Sequence, residues 1–274
     1  MLTYPHINPI ALELGPIKVH WYGVMYLVGF AAAWMLGRWR ASRPESSWRK
    51  LDVDDLVFFA MMGVIVGGRV GYVLFYGLEY WARDIWYPIK IWQGGMSFHG
   101  ALIGTLVAMA LFAWRRRRSI ADVFDFASPL PEIGLFFGRI GNFINGELWG
   151  KPTTVPWGFK VDGEVRHASQ LYEAGLEGLV LFAIMWWFTR RPRPRLAPSG
   201  LFLLLYGSAR FGIEFVRVPD ANLGYLALGW LTMGQILSLP MILGGIALLA
   251  FAYRRRQPSG NFRVPQASQP PQAS

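Results

Sequence analysis

The chain has 274 residues, of which 53% are hydrophobic and 16% are charged, against about 25% charged residues in an ordinary soluble domain. Apolar stretches of bilayer-spanning length alternate with basic clusters, which is typical of a polytopic membrane protein and argues against a soluble protein with a large core. The net charge of +10 lies in these clusters, so it indicates membrane topology and attraction to an anionic leaflet rather than nucleic-acid binding. The chain has no cysteine and its four histidines lack a metal-binding spacing, so we expect no disulfide, no metal and no other cofactor.

Seven apolar segments are predicted to cross the membrane as helices, which makes the fold class all-α. In chain order they cover about residues 17–37, 53–75, 94–114, 123–143, 171–188, 201–218 and 233–253. We predict one transmembrane catalytic domain, residues 1–257, with short extracytoplasmic loops at 76–93 and 144–169. Residues 258–274 are rich in Pro, Ser and Gln and are expected to form a disordered cytoplasmic tail.

The distribution of basic residues predicts the orientation of these spans. Most of the 27 Lys and Arg residues lie in the loops after the first, third and fifth spans and in the C-terminal tail. By the positive-inside rule those segments face the cytoplasm, which places the N-terminus on the periplasmic side. The first twenty residues contain a single basic residue, Lys18, so the first span is interpreted as a retained helix rather than a cleaved signal.

Three charged residues close the sixth span, in the run SARFGIEFVRVPD. Arg210, Glu214 and Arg217 are four and three residues apart, so a helix would place them on one face. Charges inside a span normally face a cavity or a partner. One carboxylate between two guanidinium groups leaves one positive charge unpaired, which favours anion binding. The alternative is an internal salt-bridge ladder that only fixes packing.

A second polar run, FFGRIGNFINGELWG at residues 136–150, ends the fourth span. Arg139 and Asn142 are one helical turn apart, and Asn145 and Glu147 follow them. The interspersed glycines allow the backbone to bend or to approach a ligand closely, and broken helices at membrane depth are tolerated where they line a cavity. The alternative is a polar interfacial turn, which explains the asparagines better than the arginine.

The remaining candidates are histidines and one further arginine. His20, His99 and His167 are all predicted on the extracytoplasmic side, each either as a base or as a hydrogen-bonded interfacial residue. Arg69 lies within the second span, where a structural pair with a carboxylate or a carbonyl competes with a ligand role. Because the planar guanidinium group suits phosphate oxygens, the residues together indicate lipid-phosphate chemistry or lipid transport.

Several ordered blocks give the chain a resemblance to a known family. The blocks are HWYGVMYLVGF, GGRVGYVLFY, GGMSFHGALIG, GRIGNFINGELWG, SQLYE and EFVRVPD…MGQILSLPM. They resemble the prolipoprotein diacylglyceryl transferases, enzymes of the bacterial inner membrane, over nearly the whole chain. The resemblance implies transfer of a diacylglyceryl group from phosphatidylglycerol to the lipobox cysteine thiol of a preprolipoprotein, with a thioether and glycerol phosphate as products.

The resemblance also implies roles for particular residues. The positions that match the family motifs are Tyr22, His99, Arg139, Asn142, Glu147, Gly150, Arg210, Glu214 and Arg217. Arg139 and Arg210 are expected to clamp the lipid head group with help from Arg217, while Asn142 and Tyr22 orient it. Glu147 and Glu214 are expected to hold arginines in place, and Gly150, Arg69 and His20 to support the site. His99 is the favoured base, and His167 is the alternative.

The chain departs from the family pattern in three places that concern substrate docking. Ala168 stands where the family has proline, the loop 151–166 is short, and Glu132 lies in a segment that is usually apolar. The expected partners are phosphatidylglycerol, a lipobox peptide and the bilayer. A phospholipid or small-anion transporter would also need intramembrane arginines, but the internal repeat typical of such proteins is not found in this sequence.

Overall fold

The computed structural model describes residues 2–15, 17–219 and 224–263. The α-helices are α1 (Trp21–Ala41), α2 (Lys50–Tyr76), α3 (Leu78–Arg83), α4 (Phe98–Arg115), α5 (Ile120–Ala127), α6 (Pro131–Ile144), α7 (Ser169–Glu173), α8 (Leu181–Phe188), α9 (Ala197–Ile213) and α10 (Met233–Arg255). The strands are β1 (Leu2–Thr3), β2 (Ile10–Leu14), β3 (Ile17–His20), β4 (Phe159–Val161) and β5 (Glu164–Arg166). A π-helical stretch, Ala174–Val180, joins α7 to α8 without a break.

Among the described residues, four helices are long and apolar enough to cross a membrane: α2, α4, the continuous helix Ser169–Phe188 and α10. This agrees with a membrane protein. The other predicted spans are also helical, but they differ in detail. The first is α1, the sixth is the shorter α9, and the fourth is divided into α5 and α6 at residues 128–130. Pro131 occupies the first turn of α6, where it favours the start of a new helix because it lacks an N–H group.

The described residues are mostly helical, as expected, but they also form two small sheets that the all-α expectation did not include. Strands β2 and β3 form an antiparallel pair, so residues 17–20 are extended and the first span begins only at Trp21. Strand β4 pairs in parallel with β1 and antiparallel with β5, which gives the loop 144–169 a hairpin of its own. Short strands of this kind satisfy backbone groups that have no helical partner.

The chain divides into two compact units: Met1–Leu36 with Asp125–Ser259, and Gly37–Phe124 with Gly260–Ser274. In the second unit α2 packs against α4 through glycine. A Cβ atom added at Gly67 would lie 2.4 Å from the Gly100 oxygen, and one at Gly104 would lie 2.2 Å from the Gly63 oxygen. The two backbones therefore touch, as small residues allow in membrane helices.

The beginning of the segment predicted to be a disordered tail is ordered by contacts within the second unit. The buried side chain of Asn261 accepts a hydrogen bond from the indole of Trp48 at 2.7 Å and donates one to the Asp122 carbonyl at 2.9 Å. Phe262 forms a backbone bridge with Ser46. Residues 260–263 therefore have fixed contacts, while residues 264–274 lie outside the described residues.

In the first unit α9 packs against α10, and α6 packs against the helix Ser169–Phe188. A Cβ atom at Gly178 would lie 2.7 Å from Cβ of Phe136, so α6 and the π-helical stretch are in close contact. Glu132 is fully buried in the first turn of α6, where the positive end of the helix dipole favours a carboxylate. This packing brings the polar ends of α6, α7 and α9 together.

Candidate active site

Glu173, the last residue of α7, lies at the centre of a cluster of arginines. Its side chain is fully buried, with Oε2 at 2.6 Å from Nε of Arg139 and Oε1 at 2.8 Å from Nη1 of Arg210. Oε1 also forms an ion pair with Nη1 of Arg217. A single carboxylate thus gathers arginines from α6, from α9 and from the segment that follows α9.

Glu214 forms ion pairs with two of the same arginines. Its Oε1 lies 2.7 Å from Nη2 of Arg210 and 3.0 Å from Nε of Arg217, while Oε2 accepts a hydrogen bond from the Thr232 hydroxyl at 2.7 Å. The ladder predicted from the spacing is therefore present, although α9 ends at Ile213 and Arg217 lies beyond the helix. The expected role of Glu214 in holding arginines agrees with this geometry.

The ladder does not carry the unpaired positive charge expected from the sequence, because further carboxylates balance it. Glu173 contacts both arginines of the ladder, and the fully buried Glu177 lies 3.9 Å from Arg210. Buried charges are tolerated only when they are paired. The arginines of the cluster nevertheless keep part of their surface accessible, with exposed side-chain fractions of 21% for Arg139, 19% for Arg210 and 12% for Arg217.

Asn142 and Glu147 extend the cluster along the run that follows Arg139. Nη1 of Arg139 donates to Oδ1 of Asn142 at 3.4 Å, and Nδ2 of Asn142 donates to Oε1 of Glu147 at 3.2 Å. The same glutamate oxygen accepts a hydrogen bond from Nδ2 of Asn145 at 2.9 Å. Glu147 therefore orients the buried amide of Asn142, rather than holding an arginine as the sequence suggested.

Tyr22 packs against the same helix as Arg139 and Asn142. Its ring would lie 3.0 Å from a Cβ atom at Gly141, so glycine lets α1 and α6 approach closely there. The Tyr22 hydroxyl lies 3.1 Å from that of Tyr26, one turn later. His20, also predicted to support the site, is exposed and pairs with Ile10 in the hairpin of β2 and β3.

Gly150 ties the loop of the first unit to the arginine cluster through the backbone. It forms an antiparallel bridge with Arg217, and its N–H donates to the His167 carbonyl at 2.8 Å. A Cβ atom at Gly150 would lie 2.5 Å from the Val216 oxygen and 2.9 Å from Cβ of His167. Glycine is therefore required where three backbone segments lie close together, with the segment of Gly150 bonded to His167 and paired with Arg217.

The imidazole of His167 is engaged in a hydrogen-bonded chain. Its Nδ1 lies 3.1 Å from the Tyr172 hydroxyl, which accepts a hydrogen bond from Nε1 of Trp157 at 2.9 Å. Because an indole N–H can only donate, the tyrosine keeps its own proton to donate to Nδ1. Burial lowers the pKa of His167 below its usual value, which favours the neutral imidazole that this arrangement needs.

Arg69 and His99 belong to the second unit. Arg69 is buried, and its guanidinium group lies 4.6 Å from the centre of the Tyr87 ring. It donates hydrogen bonds to five backbone carbonyls: Tyr87 at 2.6 Å, Pro88 at 3.0 Å, Gly95 and Lys90 at 3.2 Å, and Gly94. This agrees with the structural alternative for Arg69, because the carbonyls occupy its donors. His99 is exposed in the first turn of α4, next to the ring of Phe98.

Sequence reasoning missed Glu173 and Glu177, although a signal for both was present. They are carboxylates within an otherwise apolar span, and such residues normally mark a partner or a functional site. Thr232 was missed as well. Its hydroxyl serves both the first turn of α10, through Gln235, and Glu214. Only the folded chain shows that this helix cap and the ion-pair cluster share a residue.

Comparisons with known proteins agree with this arrangement of motifs. The family model described as prolipoprotein diacylglyceryl transferase matches residues 9–251. A curated protein of Methylococcus capsulatus, named phosphatidylglycerol–prolipoprotein diacylglyceryl transferase, is 59% identical over 262 residues, covering 93% of this chain and 99% of its own length. Proteins of the same name from Ectopseudomonas mendocina and Pseudomonas paraeruginosa are each 56% identical, covering 95% and 93% of this chain and 99% and 97% of their own lengths. The chain therefore belongs to the prolipoprotein diacylglyceryl transferase family.

Proposed function

We propose that the protein transfers the diacylglyceryl group of phosphatidylglycerol to the thiol of a lipobox cysteine in a preprolipoprotein. Its relatives carry this activity in their names, over nearly the full length of the chain. The observation on which the proposal depends most is the cluster of three partly accessible arginines around Glu173. Guanidinium groups held in this way suit the phosphate of a lipid head group.

The reaction forms one bond and breaks one bond. The cysteine sulfur attacks the glyceryl carbon that carries the phosphate, the carbon–oxygen bond to that phosphate breaks, and a thioether and glycerol phosphate result. The thiol proton passes to a base, because the thiolate is the nucleophile. The departing phosphate gains negative charge, which arginines already fixed in a partly buried site stabilise without reorganisation.

We assign roles from these contacts. Arg139 and Arg210 clamp the head group with help from Arg217, through the parts of their side chains that stay accessible. Asn142 and Tyr22 orient the phosphate or the glycerol, with Asn142 itself held by Glu147. Glu173 and Glu214 keep the guanidinium groups in position, and Gly150 permits the crossing that carries Arg217.

We favour His99 as the base, with His167 as the alternative. Nδ1 of His167 is engaged with Tyr172, and its other ring nitrogen then carries the proton of the neutral imidazole. His99 is exposed and free of such a chain among the described residues. If His99 is the base, replacing it with alanine abolishes transfer, while His167→Ala leaves a measurable rate. The opposite pattern would assign the base to His167.

We also propose the setting of the reaction. The chain would cross the bacterial inner membrane seven times as one catalytic domain, residues 1–257, with a periplasmic N-terminus and a cytoplasmic tail at 258–274. The basic loops after the first, third and fifth spans support this orientation. Phosphatidylglycerol and lipobox peptides would be its partners, and nucleic acid would not.

A transfer assay with purified protein in proteoliposomes tests the proposal. Phosphatidylglycerol labelled in its acyl chains is offered with a lipobox peptide, and with the same peptide carrying serine in place of cysteine. We expect label only on the cysteine peptide and a loss of about 100-fold or more with Arg139→Ala, the effect typical of removing a transition-state donor. Arg190→Ala, an exposed arginine after α8, is the matched control and should keep its activity.

The same vesicles distinguish the alternative of a phospholipid transporter. A transporter would move labelled phosphatidylglycerol between leaflets without forming a product on the peptide. Wild-type protein that puts no label on the peptide but still moves the lipid between leaflets would overturn the transferase proposal.

A further inference from the structure

A cavity of about 360 Å³ lies in the second unit, where α2 begins and α4 ends. It is lined by Ser47, Arg49, Asp52 and residues 115–118, which are four consecutive arginines. The sequence analysis interpreted this arginine run as a sign of topology and of general attraction to an anionic leaflet, without a defined site. The carboxylate–arginine cluster proposed for catalysis belongs to the first unit.

Three of the five arginines are fixed by contacts with the protein. Arg118 donates to the Ser47 carbonyl at 2.9 Å, lies 3.3 Å from Oδ2 of Asp52 and stacks on the Trp48 ring at 4.3 Å. Arg49 pairs with Asp52 at 3.1 Å, and Arg116 forms an ion pair with Asp55. Arg118 is the most firmly held of the three, since its side chain is 19% exposed against 69% for Arg49.

Arg115 and Arg117 provide charge that is not neutralised within the described part of the chain. Both are exposed, and no ion pair or hydrogen bond of either side chain is found among the described residues. Five arginines against Asp52 and Asp55 leave the cavity strongly positive. Such an excess attracts anions, most strongly where a concave wall lowers the local dielectric constant.

The backbone at Arg117 adopts the conformation that ends α4. Its φ angle is +50°, in the left-handed region that favours glycine. The N–H of Arg118 bonds to the Ala113 carbonyl at 2.9 Å, so Arg117 occupies the position after the helix end where glycine is usual. Arginine is more strained than glycine at this position, so its side chain can be removed there without disturbing the helix end.

The location of the cavity indicates what kind of anion it binds. Helices α2 and α4 are both candidate membrane spans, so the cavity at their ends lies at the level of lipid head groups. Trp114 and Leu51, the neighbours of the lining residues, have exposed fractions of 80% and 66%. Exposed tryptophan at the end of a span is typical of the membrane interface.

We propose that this cavity is a binding site for the phosphate of an anionic phospholipid in the leaflet at this end of α2 and α4. Arg115 and Arg117 contact the phosphate, while Arg118, fixed on Trp48 and Asp52, forms the wall behind it. Basic pockets between membrane helices are known to bind anionic head groups. The site is additional to the phosphatidylglycerol site of the proposed reaction and does not depend on it.

Calorimetric titration of the purified full chain, in a neutral detergent, tests the proposal. The probes are short-chain phosphatidic acid, short-chain phosphatidylcholine and inorganic phosphate. Each basic residue near an anionic lipid contributes about fivefold to affinity, so the double variant Arg115→Gln/Arg117→Gln should bind phosphatidic acid about 30-fold more weakly at one site. The matched control is Arg190→Gln/Arg191→Gln, which removes the same charge after α8 and should change the affinity less than twofold.

A single variant separates loss of binding from loss of folding. Arg117→Gly relieves the left-handed strain, so we expect an unchanged or higher melting temperature together with about fivefold weaker binding of phosphatidic acid. Equal losses of affinity for phosphatidic acid in the two double variants would show diffuse attraction between the lipid and the basic surface, and would overturn the proposal. An unchanged affinity in Arg115→Gln/Arg117→Gln would overturn it as well. Inorganic phosphate or phosphatidylcholine binding as tightly as phosphatidic acid would also overturn it.

Discussion

Replacing Glu173 with glutamine removes the charge on which the arginine cluster is centred. The side chain is fully buried and contacts Arg139, Arg210 and Arg217. Glutamine has nearly the same shape, so packing changes little, but the amide brings no negative charge and only one acceptor oxygen. Arg139 then loses its ion pair, and the other two arginines retain Glu214.

Breaking a buried ion pair by removal of one partner costs about 3–5 kcal/mol, because the remaining charge is left uncompensated. The arginine side chains are 12–21% exposed, so water screens part of this loss and we expect about 3 kcal/mol. For a chain of this size that corresponds to a melting temperature lower by about 6–12 °C.

Thermal unfolding of the full chain in detergent, followed by helical circular dichroism, measures the effect. Glu164→Gln is the matched control, since it removes the same charge from a surface pair with Arg166 at 2.8 Å, and such pairs contribute about 0–1 kcal/mol. If Glu173→Gln unfolds at the same temperature as Glu164→Gln, Glu173 does not hold the cluster together and the reasoning fails.

Three further predictions concern packing, pH and the buried arginine of the second unit. Gly100→Ala should lower the free energy of unfolding by about 1–3 kcal/mol, because its Cβ atom would lie 2.4 Å from the Gly67 oxygen. Gly244→Ala, which has open space around it, should leave stability unchanged. Equal effects of the two substitutions in chemical unfolding would refute the contact between α2 and α4. The folded-state pKa of His167 is below 6.5, so the unfolded chain binds its proton more readily. The stability of wild type relative to His167→Asn should therefore rise as the pH increases from the folded-state pKa of His167 to 6.5. A difference in melting temperature between the two proteins that is the same at pH 5 and pH 7.5 would contradict this. Arg69→Lys should cost about 1–3 kcal/mol in the same unfolding assay, because lysine has too few donors for the carbonyls that Arg69 binds, and full stability would disprove the structural role.

The sequence by itself determined the class of protein and the nature of its polar motifs. Apolar segments of spanning length can be recognised because lipid tolerates few charges, and the structure contains helices in each of them. Local spacing was also sufficient for pairs within one turn: Arg210, Glu214 and Arg217 form the ladder that their separations of four and three residues predict.

Only the tertiary structure decided how these motifs combine. Glu173 joins arginines that lie 34 residues before it and 37 and 44 residues after it, and no rule based on helical periodicity relates positions so far apart. The same holds for Asn261, whose amide reaches Trp48 across the chain and orders a segment that composition alone marks as disordered. Partners distant in sequence are selected by packing of whole helices and by the need to pair every buried charge, and both are properties of the folded chain.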